Sequence, residues 1–277
     1  MKRGLKIALS AIVWIAIVAY LIWSGNLGER KRAEVYVHGV EIKIKDSSEI
    51  SIIRTSDVEQ WIKSAGLYPL DKHIDSVPLV KISDAVSSHN FVKKVRTSVA
   101  INGTVYITVS QRKPIMRVIT DNGYDFYYTE DGYIVPVGHH SAYYVPVITG
   151  RFPIPFPTSF SGPLDDSKND KEKNYDTNYI FIYKLINFVK YIEDNEFWNA
   201  QIVQINVLPR SAGQSEPEIE LIPRVGNHVI LLGSLDGYEQ RLDKLMTFYR
   251  KVAPAEGWDR WSYINLKYDG QVVCRKR

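Results

Sequence analysis

The sequence predicts an α+β protein with one N-terminal transmembrane helix, followed by two soluble modules in which antiparallel sheet dominates. Three observations predict it. Residues 5–24 form a single apolar run near the start of the 277-residue chain. Beyond that run, short alternating apolar segments are separated by turns such as Asn102-Gly103 and Asp131-Gly132. Other segments carry apolar residues at helical spacing. The 18 tyrosines agree with this, because aromatic side chains fit the pleated surface of a sheet.

The run from Ile7 to Trp23 has Ser10 as its one polar side chain besides Tyr20, and Leu5 and Lys6 extend it. Its length suits a spanning helix, and Tyr20 and Trp23 fall where an aromatic belt lies. A cleaved signal peptide is the alternative, but no small-x-small cleavage site follows the run. Residues 1–4 are then a short cytoplasmic tail, which makes the chain a single-pass, type II protein of the cytoplasmic membrane. Positive charge is nearly balanced across the run, so the orientation rests on the shortness of the tail.

The net charge of +4 belongs to these flanks. Residues 1–32 hold six of the 35 Lys and Arg and one of the 31 acids, which leaves 29 basic against 30 acidic residues. A near-neutral soluble part argues against a nucleic-acid partner. The single cysteine, Cys274, has no disulfide partner in the chain and builds no thiolate metal cage.

Residues 34–112 form the first module. Val40 to Ile44 alternates and predicts a strand. A helix is expected from Ser56, with Ser56 and Glu59 at capping-box spacing, an apolar stripe of Val58, Trp61, Ile62 and Ala65, and Gly66 past its end. Ser83 is the expected cap of a second, shorter helix. Val95, Thr97 and Val99 face Val105, Ile107 and Val109 across Asn102-Gly103. A two-residue turn would split these residues between opposite faces. A three-residue loop with left-handed Gly103, pairing Ala100 with Thr104, keeps them together. The order β-α-α-β-β resembles a POTRA module, a periplasmic protein-interaction fold.

Residues 113–277 form the second module, with Pro114 ending the preceding ladder. Strands are expected near 115–120, 124–128, 133–137, 202–208, 218–222, 228–232, 262–267 and 271–275. Helices are expected over 179–192 and 235–252. Residues 151–178 are rich in Pro, Asp, Lys, Asn and Ser without periodicity and read as a surface excursion.

Taken together, the chain resembles the FtsQ/DivIB family of cell-division proteins. The residues that carry the likeness are Phe91-Val92-Lys93-Lys94-Val95, the run Val105 to Ile115, Tyr127-Tyr128-x-x-Asp131-Gly132, and Val145 to Gly150. Leu232-Gly233, Lys244-Leu245 and Ile264-Asn265-Leu266-Lys267-Tyr268 follow. The family's common Asp-Leu-Arg-Tyr stands here as Asn265-Leu266-Lys267-Tyr268. The resemblance implies a non-enzymatic scaffold of the division septum, with a transmembrane helix, a POTRA domain and a β domain. It implies partners of the FtsB and FtsL kind at the last strands, and beyond them FtsK, FtsW and a penicillin-binding synthase. It implies no cofactor and no small-molecule substrate. Independently, a terminal strand over Gln271, Val272, Val273 and Cys274 would offer unpaired backbone groups to a partner strand. Tyr268 beside it is either an aromatic anchor for the partner or a residue packed on its own sheet.

Catalytic patterns are weak. Ser110-Gln111-Arg112-Lys113 matches Ser-x-x-Lys and Ser88-His89-Asn90 matches Ser-x-Asn, but no Lys-Thr-Gly follows. Adjacent His139 and His140 would point to opposite faces of a strand, and Asp165-Asp166 lie in the polar excursion. The competing reading is a POTRA-bearing envelope assembly or secretion protein.

Overall fold

The computed structural model describes residues 13–21, 23, 35–45, 52–137, 143–158, 160–167 and 176–277. Residues 13–21 and Trp23 are helical, with Trp14, Ile15, Tyr20, Leu21 and Trp23 exposed. Among the described residues no helix is long and apolar enough to cross a membrane. The rest of the span expected at 5–24 lies outside the described residues, as do His139 and His140. The chain divides into two compact units, Met1–Gln111 and Arg112–Arg277.

The first unit runs β1 (Gly39–Lys45), α1 (Thr55–Ser64), α2 (Leu79–Ser87), β2 (Val92–Val99) and β3 (Thr104–Gln111). Strand β3 is central, parallel to β1 and antiparallel to β2. Val105, Ile107 and Val109 are fully buried, opposite Val40, Ile42 and Ile44 on one side and Val99, Thr97 and Val95 on the other. Val58, Ile62, Ile82 and Val86 from the two helices complete this core. The hairpin has the three-residue loop: Gly103 has φ +82° and Ala100 N–H donates to the Thr104 carbonyl at 2.9 Å.

Gly66, at φ +68°, ends α1 as expected. Its N–H donates to the Lys63 carbonyl and that of Leu67 to Ile62, so the last carbonyls of the helix are satisfied. The helix begins one residue earlier than Ser56, and the Asp57 carboxylate rather than Glu59 accepts the Arg54 N–H, at 2.8 Å. Glu59 pairs instead with Lys63, one turn on. Helix α2 starts at Leu79, directly after Pro78, whose ring is pre-set for a helix start. Ser83 therefore sits inside the helix and does not cap it.

The second unit holds one ten-stranded sheet, in the order β13-β12-β11-β10-β9-β7-β4-β5-β6-β8. The strands are β4 (Pro114–Ile119), β5 (Asp125–Thr129), β6 (Tyr133–Pro136), β7 (Val147–Gly150), β8 (Gly162–Pro163), β9 (Ile202–Val207), β10 (Ile219–Pro223), β11 (Val229–Gly233), β12 (Trp261–Asn265) and β13 (Val273–Lys276). Antiparallel pairing dominates the sheet as expected, but the sheet is mixed: β4–β7, β7–β9 and β11–β12 are parallel. Helical crossovers impose the β7–β9 and β11–β12 pairs, because they return the chain to the same end of the sheet, whereas β4 reaches β7 through β5 and β6. Helices α3 (Thr177–Asp194) and α4 (Glu196–Gln201) separate β7 from β9, and α5 (Tyr238–Lys251) separates β11 from β12. A short α6 (Ala253–Glu256) follows α5. Pro114 opens β4 opposite Thr129 and does not merely end the preceding ladder. The first position of a strand tolerates its missing N–H.

Ile182, Leu185, Ile186, Val189 and Ile192 of α3 are buried, as their spacing predicts, and Tyr179, Phe181 and Phe188 join them. They share one core with Phe126, Ile148, Ile205, Leu221, Ile230, Leu242 and Leu245. Residues 151–178 are only partly a surface excursion. Phe152, Phe156 and Leu164 are buried, and β8 extends the sheet beside β6. Single aromatic residues hold this segment, as where Phe156 meets Phe126 at 5.8 Å, so it shows no period.

Candidate partner-binding edge

Strand β13 is the last strand of the sheet, and β12 is its one neighbour in it. The two pair antiparallel, with Asn265 opposite Val273, Ile264 opposite Cys274, Tyr263 opposite Arg275 and Trp261 opposite Lys276. Strand β12 is fixed from behind by parallel pairing to β11 and by fully buried Ile264. An edge strand on a rigid neighbour keeps one row of backbone N–H and C=O groups available for an incoming strand.

The expected terminal strand is displaced by two residues. Val273 and Cys274 lie on β13, whereas Gln271 and Val272 precede it and line a groove. Arg275 and Lys276 are strand residues as well. The Arg275 guanidinium sits 5.4 Å from the Tyr263 ring, and the Lys276 ammonium 5.8 Å from the Trp261 ring. Tyr263 donates a hydrogen bond to Glu220 at 3.1 Å. Its burial and the nearby Glu220 charge push its hydroxyl pKa up to about 12. Tyr263 therefore stays a neutral donor and ties β12 to β10.

Tyr268 stands in the loop between β12 and β13 and is 51% exposed. Its backbone is fixed although its ring is open to solvent. The Lys244 ammonium on α5 donates to the carbonyls of Leu266 at 2.8 Å and Tyr268 at 2.6 Å. Lys267 pairs with Glu218, and its N–H donates to Asn265 Oδ1 at 3.0 Å.

The groove runs between α5 and the terminal hairpin and measures about 570 Å³. Phe248, Val252, Trp261, Val272 and Cys274 supply its apolar surface, and Lys244 and Lys251 stand among its polar lining. Burial pushes the Cys274 thiol pKa up, which makes it a small apolar wall residue and not a reactive thiolate. Phe248 and Trp261 were not singled out from the sequence. Phe248 continues the spacing of Leu242 and Leu245 on the buried side of α5, a signal that was available. Trp261 lies one residue before the expected strand start.

Gln111, Lys113, His89 and Asp165, which also fall in the patterns marked in the sequence, have structural roles. Gln111 is buried and its Oε1 accepts the backbone N–H groups of Ile52 and Ile53. Lys113 pairs with Glu193 at 2.8 Å. The His89 ring stacks on Trp61 at 3.6 Å, and Asp165 accepts a hydrogen bond from Tyr183. Among the described residues no group of three His, Cys, Asp or Glu side chains could hold a metal ion.

Family comparison fits this arrangement. The model of the C-terminal related domain of FtsQ/DivIB matches residues 113–275, more than half of the chain, and that of the POTRA-like domain matches residues 36–110. The chain belongs to the FtsQ/DivIB family. No curated protein matches it. FtsQ/DivIB-related domains indicate a role in cell division, in a family of non-enzymatic scaffolds. The part matched to FtsQ/DivIB reaches Arg275 and so includes most of the edge strand.

Proposed function

We propose that the chain is a single-span scaffold of the division machinery at the inner membrane and septum. It receives a partner by strand addition at β13, with the partner's apolar residues seated in the adjoining groove. The observation that carries this reading is the placement of β13. It is the edge of a ten-stranded sheet, it is held by β12, and a 570 Å³ apolar groove lies beside it. Main-chain pairing supplies affinity in such a complex, and the groove supplies selectivity. The partners are single-span subunits of the FtsB and FtsL kind, while FtsK, FtsW and a penicillin-binding synthase belong to the same assembly. Val273, 45% exposed, and Tyr268 would be covered by the added strand.

The test is a pull-down of FtsB- and FtsL-like subunits by the full chain and two variants. Deleting residues 270–277 removes β13, and Val272→Asp places a charge in the groove but keeps the strand. Both are expected to lose the partner with the melting transition retained. Undiminished capture by a folded Val272→Asp chain together with the deletion chain would refute strand addition at this edge.

A further inference from the structure

The register of the first unit's sheet lays out a second surface, on the face away from α1 and α2. Residues alternate across a strand, so the partners of the buried row are all on the other face. In one row Lys45 of β1 is opposite Ser110 of β3, which is opposite Lys94 of β2. In the next, Lys43 is opposite Thr108, which is opposite Arg96. All four basic residues are exposed, and the two hydroxyl residues between them are half-exposed. None of the four forms an ion pair among the described residues. Glu41, in the third row beside Tyr106 and Ser98, is the one acid on these three rows.

The geometry points to a binding face for the anionic phosphate headgroups of the membrane surface. Strand spacing puts Lys43 and Arg96 about 10 Å apart with Thr108 between them, and the rows lie about 7 Å apart along the strands. The result is a flat rectangle of cations around two hydroxyl donors, shaped for a plane of phosphates. Guarding the two edges of the sheet against other strands would need charge of either sign. Here both rows are cationic, although the soluble part as a whole is near neutral. The occupant follows from charge and reach. Trp23 of the exposed apolar helix lies sixteen residues before Gly39, and that length of chain extends at most about 55 Å. The face is thus held at high effective concentration over any bilayer that takes up the helix, where weak contacts suffice. This last step rests on reading the chain as membrane-anchored.

The experiment is lysine acylation footprinting of the full chain with vesicles of phosphatidylcholine alone, or with two-fifths phosphatidylglycerol. Lys81 on α2, exposed on the helical side, is the internal reference. Labelling of Lys43, Lys45 and Lys94 is expected to fall at least threefold with the anionic vesicles only. It should return at 0.5 M salt, since screening then acts within about 4 Å. Lys43→Glu with Arg96→Glu should abolish the protection of Lys45 and Lys94, while Lys43→Arg with Arg96→Lys should retain it. Equal labelling with both vesicles would overturn the proposal. So would protection by polyglutamate without protection by vesicles, which would indicate an acidic protein instead. Failure to float with neutral vesicles would count against the anchor alone, because the anionic footprint decides the face independently.

Discussion

Lys244 on α5 donates to the backbone carbonyl of Tyr268 at 2.6 Å, so a helix side chain sets the loop that leads into the edge strand. The same ammonium reaches the Leu266 carbonyl. Lys244→Met keeps the apolar stem and removes both charge-assisted bonds, each worth about 1.5–3 kcal/mol when fully formed and less at this exposed position. The expected result is a loss of about 1 kcal/mol in stability, with amide exchange faster over residues 266–272. Partner capture should weaken more than the melting temperature falls. Unchanged exchange in that loop would show that Lys244 does not position it.

Gly150 and Gly123 both have positive φ, +90° and +80°, but their surroundings differ. A Cβ at Gly150 would collide with the Val207 carbonyl oxygen across the β7–β9 ladder, whereas none of the surrounding atoms lies within 4 Å of one at Gly123. Gly123→Ala should cost about 1 kcal/mol from backbone strain alone. Gly150→Ala should cost about 3 kcal/mol or more, because backbone must move in the middle of the sheet. Urea denaturation of both variants checks the order, and equal midpoints would contradict it.

His228 is 3% exposed, with its Nε2 2.8 Å from the Tyr249 hydroxyl and, among the described residues, no hydrogen-bond partner for its Nδ1. Burial holds its pKa below the ordinary value, and the Arg277 charge adds to this. Below about pH 6.5 the unfolded chain therefore takes up a proton that the folded chain resists. Stability that is complete above that pH is lost as pH falls towards the folded pKa. His228→Phe should flatten the decline in melting temperature between pH 7 and 5. An unchanged slope would remove His228 as its source.

Gln111 is the buried anchor of the segment before α1, through its two backbone hydrogen bonds at 3.2 and 2.8 Å. Gln111→Ala strands two amides and should cost about 2 kcal/mol. Gln111→Glu retains acceptors for both and should lose less. Thermal denaturation separates the two variants.

Much of the architecture was legible where one periodicity ruled. The hairpin loop followed from parity: only a three-residue loop with left-handed Gly103 puts Val95 and Val109 on one face. The stripe of α3 followed from its 3.6-residue period. What escaped was held by contacts distant in sequence. Phe152, Phe156 and Leu164 sit in a segment without period, and each is buried by partners that local spacing does not reveal. The parallel pairs of the large sheet depend on where crossovers return the chain. At the candidate edge, strand and groove were read as one strand. Gly270, at φ +69°, turns the chain just before Gln271, so pairing begins only at Val273.

The parallel pairing of β1 with β3 bears on how the protein carries load. Tension applied along the chain across the first unit enters β1 at Gly39 and leaves β3 at Gln111, at opposite ends of the parallel pair. The strands are then pulled past each other and not peeled apart. All the rungs from Gly39–Thr104 to Lys45–Ser110 resist together, where unzipping would break them one by one. The first unit is thus arranged as a shear joint, in which a pull along the strands is met by every rung at once and cannot unravel the pair from its end.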